Sequence, residues 1–130
     1  MSGYRTALGR ARGLGSAKTG VGHFIAQRVS AVALIFLVLW GVLAILAVAR
    51  GDYAVAVAWL RQPLNISLMS LLAAAGFYHM HIGMRVIVED YIHRAITKAV
   101  LLIGNFLICF GGGVVTIVCL LKVALATGAT

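Results

Sequence analysis

Three long apolar stretches, each bounded by basic residues, dominate the pattern of hydrophobic and polar positions along this chain. Charged side chains are absent between Arg28 and Arg50, between Arg61 and Arg85, and between Lys98 and Lys122. These gaps hold 21, 23 and 23 residues. Helices of that length span roughly 31 to 35 Å, enough to cross a hydrocarbon core of about 30 Å. The pattern predicts an all-α membrane protein with three transmembrane helices, at about residues 29–49, 64–88 and 99–121.

The composition excludes an ordinary soluble domain. The 130 residues are 62% hydrophobic and 11% charged, whereas about 25% charged residues are typical of globular proteins. Few residues remain outside the three predicted helices. We therefore divide the chain into a basic N-terminal segment, residues 1–28, and a three-helix anchor domain, residues 29–130.

The net charge of +8 is better explained by orientation in a membrane than by a nucleic-acid partner. Seven basic residues flank the predicted helices on one side and three on the other, namely Arg5, Arg10, Arg12, Lys18, Arg28, Arg94 and Lys98 against Arg50, Arg61 and Lys122. The positive-inside rule then predicts a cytoplasmic N-terminus. The first 20 residues also resemble an organellar transit peptide. A basic flank before a retained helix is favoured, so we expect a bacterial inner membrane, with a mitochondrial one as the alternative.

The second predicted helix carries histidines at membrane depth, where ionisable groups are costly and usually mark functional sites. At about 100° per residue, the face of His79 also holds Gly76, Gly83 and Asp90. His81 projects about 200° away, so the two histidines cannot bind one metal ion from one helix face. We expect His81 to hydrogen-bond to a neighbouring helix. His79 lies near mid-membrane, where a neutral imidazole offering Nε2 suits axial ligation of haem iron, although the glycines taken alone favour helix packing.

Three residues at the predicted cytoplasmic boundary are candidates for a quinone site. The hydroxyl of Tyr91 can donate a hydrogen bond to a quinone carbonyl, and Asp90 can orient that hydroxyl or relay a proton. Arg28, at the entry of the first helix, can pair with a haem propionate or support the quinone pocket. The alternatives are an interfacial tyrosine, an aspartate that only ends its helix and an arginine that only sets topology.

Further patterns concern helix boundaries and packing. Pro63 is suited to the start of the second helix, where a proline removes no needed hydrogen-bond donor. The run of three glycines at 111–113 predicts close approach of another helix. Cys109 and Cys119 lie ~15 Å apart along one helix, which is too far for a mutual disulfide.

The pattern H-x-x-x-G-M-x-x-I-x-x-D-Y over residues 79–91 resembles the second-helix signature of a known family. That family is the hydrophobic, D-type membrane-anchor subunit of succinate dehydrogenase, respiratory complex II. The basic N-terminus, the arginine at the entry of the first helix and the three-helix order are similar as well. The resemblance therefore covers about residues 20–121.

The resemblance implies a subunit of succinate:ubiquinone oxidoreductase, in the tricarboxylic acid cycle and aerobic electron transport, with no activity from this chain alone. The anchor would pack with a second three-helix anchor of the cytochrome b556 type and share one haem b with it. FAD and iron–sulfur clusters would belong to the flavoprotein and iron–sulfur subunits that dock on the anchors. His79 would ligate the haem iron, Gly83 would pack at the haem face, Arg28 would lie near the propionates, and Tyr91 with Asp90 would bind ubiquinone.

Other functions stay open at this point. A cytochrome b anchor of another quinone-linked dehydrogenase would keep His79 without needing the Asp-Tyr pair. A small non-redox transporter or structural membrane protein would use the histidine and aspartate as a proton relay, and an assembly factor would use the glycine face only for packing. The resemblance leaves the type of quinone and the physiological direction of the reaction open.

Overall fold

All regular structure in the computed structural model is α-helical within residues 6–13 and 20–126, which are the parts of the chain that it describes. The helices are α1 (Ala7–Ala11), α2 (Gly20–Val48), α3 (Tyr53–Leu60), α4 (Pro63–Tyr91) and α5 (Ala95–Leu125). Helices α2, α4 and α5 are long and apolar enough to cross a membrane, so the predicted fold class is confirmed. Of the predicted basic segment, residues 1–5 and 14–19, with Arg5 and Lys18, lie outside the described residues.

The transmembrane helices extend beyond the spans predicted from the charge gaps. Helix α2 begins at Gly20 rather than at residue 29, α4 ends at Tyr91 rather than at 88, and α5 begins at Ala95 rather than at 99. The charge gaps delimit the stretch that suits hydrocarbon, whereas backbone hydrogen bonding continues through charged positions. Arg28 lies within α2, and its guanidinium rests over the ring of Phe24, one turn earlier in the helix and 5.2 Å from the centroid, a favourable cation–π contact.

The first connection contains a short helix, α3, which the sequence did not predict. The side chain of its N-cap residue, Asp52, accepts a hydrogen bond of 2.9 Å from a backbone N–H of the first turn, as N-cap residues do. The indole rings of Trp40 and Trp59 stack with centroids 5.9 Å apart. Asn65 Nδ2 donates to the Trp59 carbonyl oxygen over 2.8 Å. These contacts hold α3 against α2 and α4.

Helix α4 lies between the other two transmembrane helices. It packs against both α2 and α5, and within the described residues these two do not contact each other. Pro63 is its first residue, which confirms the predicted start. Few large side chains are buried, among them Leu37, Ile82 and Val88, and apolar side chains along all three helices are exposed. Most of the apolar surface is therefore available to lipid or to another membrane subunit.

Helices α4 and α5 approach each other closely at the glycine run. A Cβ atom built on Gly112 would lie 2.8 Å from the Phe77 ring, and one on Gly113 would lie 3.5 Å from it. The prediction that this run serves close packing is confirmed. Both cysteines of α5 are free; Cys109 is buried and Cys119 is exposed.

Substitution of Gly112 is expected to separate α4 from α5. A Gly112→Ala methyl group would meet the Phe77 ring at 2.8 Å, and overpacking of this kind costs about 1 to 3 kcal/mol. Gly111→Ala is the matched control because nothing lies within 4 Å of its added Cβ. Thermal denaturation of the detergent-solubilised protein should show a lower midpoint for Gly112→Ala alone. Equal midpoints for the two variants would contradict the role assigned to Gly112.

Candidate functional site

His79 faces α2, where two polar side chains meet its imidazole ring. Its Nδ1 atom lies 2.9 Å from Ser30 Oγ, and its Nε2 atom lies 3.4 Å from Gln27 Nε2. Ser30 is buried, with 8% of its surface exposed, and its hydroxyl also donates to the Gln27 carbonyl oxygen over 3.1 Å. The ring is thus held between two helices by contacts to both of its nitrogen atoms.

The surroundings of His79 include small residues and unpaired polar atoms. Nothing lies within 4 Å of a Cβ atom built on Gly76, and a Cβ on Gly83 would lie 3.7 Å from Gln27 Nε2. His23 Nε2 and Gln27 Oε1 are buried without a hydrogen-bond partner among the residues that the structure describes. Buried polar atoms without partners are rare in proteins. Gly76 therefore leaves space on the His79 side of α4, and the Gln27 amide that meets the ring has an oxygen without a partner among the described residues.

His81 faces α5 instead, as expected for a histidine bonded to a neighbouring helix. Asn105 Nδ2 lies 3.1 Å from His81 Nδ1 and donates to the His81 carbonyl oxygen over 3.0 Å. Asn105 Oδ1 accepts from the thiol of Cys109 over 3.2 Å. The ring also meets the edge of Phe106, with centroids 5.9 Å apart. The two histidines thus serve opposite helix contacts and cannot ligate one metal ion together.

An apolar cleft of about 370 Å³ opens between α4 and α5 on the side of His81. Its walls consist of aromatic and small side chains, with Tyr78 and His81 as the polar members, and are formed by Ala74, Phe77, Tyr78, His81, Phe106, Cys109, Phe110, Gly113, Val114 and Ile117. The cleft does not include His79. It lies next to the glycine run at which the two helices approach each other.

The candidates for the quinone site lie at the end of the bundle nearest His79. Helices α2 and α4 are antiparallel, so the start of α2 and the end of α4 are on the same side. Asp90 and Tyr91 are exposed there, and 75% of the Tyr91 surface is exposed. Arg28 is exposed and rests on Phe24. Among the described side chains the one ion pair is Arg85 with Glu89, at 2.7 Å, so Arg28 and Asp90 are not brought together.

The connection between α4 and α5 is fixed at this same end. Lys98 Nζ donates to the carbonyl oxygen of Glu89 over 2.8 Å. Because the last carbonyls of a helix have no partner within the helix, a lysine contact of this kind stabilises its C-terminus. The contact holds the start of α5 beside the residues that precede Asp90 and Tyr91.

The sequence of this chain is similar to those of a known family. A sequence model of the family described as succinate dehydrogenase/fumarate reductase transmembrane subunit matches residues 2–118. The chain belongs to this family. This chain is 33% identical over 89 residues to the succinate dehydrogenase hydrophobic membrane anchor subunit of Rickettsia bellii. The aligned residues cover 68% of this chain and 71% of the relative.

Two further relatives carry the same description. The anchor subunit of Rickettsia conorii is 30% identical over 108 residues, which cover 81% of this chain and 86% of the relative. That of Rickettsia typhi is 26% identical over 106 residues, which cover 82% and 85%. The resemblance to a succinate dehydrogenase membrane anchor, first seen in the pattern at 79–91, is confirmed.

Three polar residues at this subunit's histidines were not predicted as site residues. Ser30 and Gln27 contact His79 from α2, and Asn105 contacts His81 from α5. Each is a polar side chain inside an apolar helix, which is a usable signal because such groups seek partners across helix contacts. The signal does not identify the partner residue, since a helix that is apolar on all sides has no preferred rotation against its neighbours.

Proposed function

We propose that this transmembrane subunit anchors succinate:ubiquinone oxidoreductase in a bacterial inner membrane. It would hold the flavoprotein and iron–sulfur subunits, together with a second three-helix anchor. The relatives named above support the assignment, because their likeness extends over 68% to 82% of this chain. The observation that carries it is the placement of His79 between Gly76 and Gly83 in a helix long enough to cross a membrane, bonded through Nδ1 to a neighbouring helix.

The residues around His79 fit a haem b. Gly76 has open space where a Cβ atom would be, and the buried Oε1 atom of Gln27 lacks a partner within the described residues. His79 would be one axial ligand through Nε2, and Gln27, whose amide lies 3.4 Å from that atom, would turn aside. Since His81 serves the α5 contact, the other axial ligand would come from the second anchor. When bound, the haem would accept and return single electrons.

Arg28 and Gly83 would complete this chain's part of the haem pocket. The guanidinium of Arg28 is exposed on α2 and lacks a carboxylate partner among the described side chains, so it is available to a propionate. A guanidinium recognises a carboxylate through paired, parallel hydrogen bonds. Gly83 would keep the surface one turn beyond His79 free of side-chain bulk.

Tyr91 and Asp90 would form this chain's part of the ubiquinone site. The Tyr91 hydroxyl would donate a hydrogen bond to a quinone carbonyl oxygen, and this bond strengthens as negative charge develops there. Asp90 would orient the hydroxyl and pass protons from water. Both residues are exposed at the end of α4, where the other subunits of the complex could complete the pocket.

The distribution of charge supports docking of the soluble subunits on the side of Asp90 and Tyr91. Seven of the basic residues flank the helices at that end and three at the other, which favours a cytoplasmic placement of the start of α2 and the end of α4. The exposed apolar faces of α2 and α5 are suited to lipid and to the second anchor.

Co-purification tests the proposed function. The chain, tagged at its C-terminus and extracted from its own membrane in mild detergent, is expected to bring down a flavin-containing and an iron–sulfur subunit. The preparation should reduce ubiquinone with succinate. A matched preparation of an unrelated tagged three-helix membrane protein is the control. Recovery of the intact chain without flavin, iron or succinate oxidation would contradict the proposal.

A further inference from the structure

The contacts around His79 favour one position for its ring hydrogen. A serine hydroxyl has one hydrogen to donate. Ser30 donates it to the Gln27 carbonyl oxygen, one turn earlier in α2, over 3.1 Å. With that hydrogen engaged, the hydroxyl oxygen is an acceptor for a hydrogen on His79 Nδ1, 2.9 Å away. This arrangement favours the His79 tautomer with its hydrogen on Nδ1 and a lone pair on Nε2.

The Gln27 side chain supports the same assignment from the other edge of the ring. Its amide nitrogen, which only donates, faces His79 Nε2 at 3.4 Å, whereas its oxygen is buried and has no partner among the described residues. A hydrogen on His79 Nε2 would oppose the amide hydrogens of Gln27. An unprotonated Nε2 accepts from them instead.

His81 has the opposite arrangement. Asn105 Nδ2 donates to the His81 carbonyl oxygen, and Asn105 Oδ1 accepts from Cys109, so the orientation of the amide is fixed at both ends. The same Nδ2 therefore also donates to His81 Nδ1, 3.1 Å away. His81 consequently carries its hydrogen on Nε2, which makes that nitrogen a donor and unsuited to bind a metal ion.

We propose that Ser30 is a positioning residue that holds the His79 ring in the orientation and tautomer needed to ligate haem iron. By accepting from Nδ1–H it fixes the tautomer and the ring plane, and it leaves the Nε2 lone pair for the axial bond. Partners of this kind orient a ligating histidine and raise its basicity. The inference rests on the proposed ligation of haem by His79. It adds a residue of α2, in a different helix from the ligand, to the determinants of haem binding.

The test compares haem retention in the purified complex for serine variants of matched chemistry. Ser30→Ala removes the acceptor, Ser30→Thr keeps the hydroxyl, and Ser30→Cys replaces it with a weaker acceptor. Ser67→Ala is the control, because Ser67 makes the same kind of bond to a carbonyl of its own helix, that of Pro63 at 2.7 Å, and contacts no histidine. Two quantities are measured: the rate of haem transfer to excess apomyoglobin and the haem reduction potential.

Ser30→Ala is expected to release haem about 10- to 100-fold faster than the parent, the range found for partners of metal-ligating histidines. Its reduction potential should rise, because a less basic imidazole stabilises ferric iron less. Ser30→Thr should match the parent, and Ser30→Cys should fall between. If Ser30→Ala does not assemble, Ser30→Cys provides the same comparison.

Two results would overturn the inference, and they are distinguishable. Equal haem release and equal potentials in the Ser30 and Ser67 variants, with haem lost from His79→Ala, would remove the role of Ser30 and leave the proposed function intact. Haem retained with an unchanged spectrum in His79→Ala would overturn the ligand assignment itself, and the role of Ser30 with it.

Discussion

The His79→Ala complex is expected to lose the b-type band from its reduced-minus-oxidised visible spectrum. His79 would be the one ligand of the haem iron that this chain supplies, because the other histidine of the helix is bonded to α5. Loss of an axial ligand should lower the haem content at least about tenfold, since even partners beyond the ligand account for 10- to 100-fold in metal affinity. The measurement is the ratio of haem to flavin in the purified complex.

His81→Ala is the matched control for this prediction. It removes an imidazole two residues away, at the same depth and with the same loss of volume, but on the α5 side of the helix. The variant loses the bond from Asn105 to Nδ1 and the contact with Phe106, so a modest loss of thermal stability is expected. Its haem spectrum should be retained. A parent-like spectrum in His79→Ala, or a lost spectrum in His81→Ala, would show that the two assignments are wrong.

Tyr91→Phe is expected to impair the reduction of ubiquinone without affecting the oxidation of succinate. Removal of one preorganised hydrogen-bond donor to a developing oxyanion costs about 10²-fold in turnover, and we expect a loss of that order. The fold should not change, because the ring is 75% exposed and the phenyl group keeps its volume. The measurement is succinate-dependent turnover with ubiquinone beside turnover with a soluble artificial acceptor.

Tyr53→Phe controls for the general effect of removing a tyrosine hydroxyl. Tyr53 is also exposed, at 81%, but it starts α3 at the opposite end of the bundle. Both of its activities should equal those of the parent. Equal quinone reduction in Tyr91→Phe and Tyr53→Phe would assign Tyr91 to the membrane interface, as a residue of the aromatic belt.

The family and the residues of the candidate site were accessible from the sequence because both predictions depend on local patterns. The charge gaps define the hydrocarbon spans, and the spacing of histidine, glycine and Asp-Tyr in one helix carries the resemblance to the succinate dehydrogenase anchors. The start of α2 was predicted too late, since Arg28 was taken as a boundary although its side chain rests on Phe24 within the helix. Helix α3 was not predicted because its eight residues are too few to cross a membrane, whereas the predicted helices were defined by uncharged stretches of membrane-spanning length.

The opposite directions of His79 and His81 follow from the sequence alone, since two residues along a helix amount to about 200° of rotation. The three membrane-spanning stretches also follow from the sequence alone, because hydrophobicity and charge define each of them locally. Only the tertiary structure decided which neighbour each ring meets. Ser30 and Gln27 are 49 and 52 positions from His79, and Asn105 is 24 positions from His81. Helices that are apolar on nearly every side carry no periodic signal for their rotation against one another, so these pairings arise from packing.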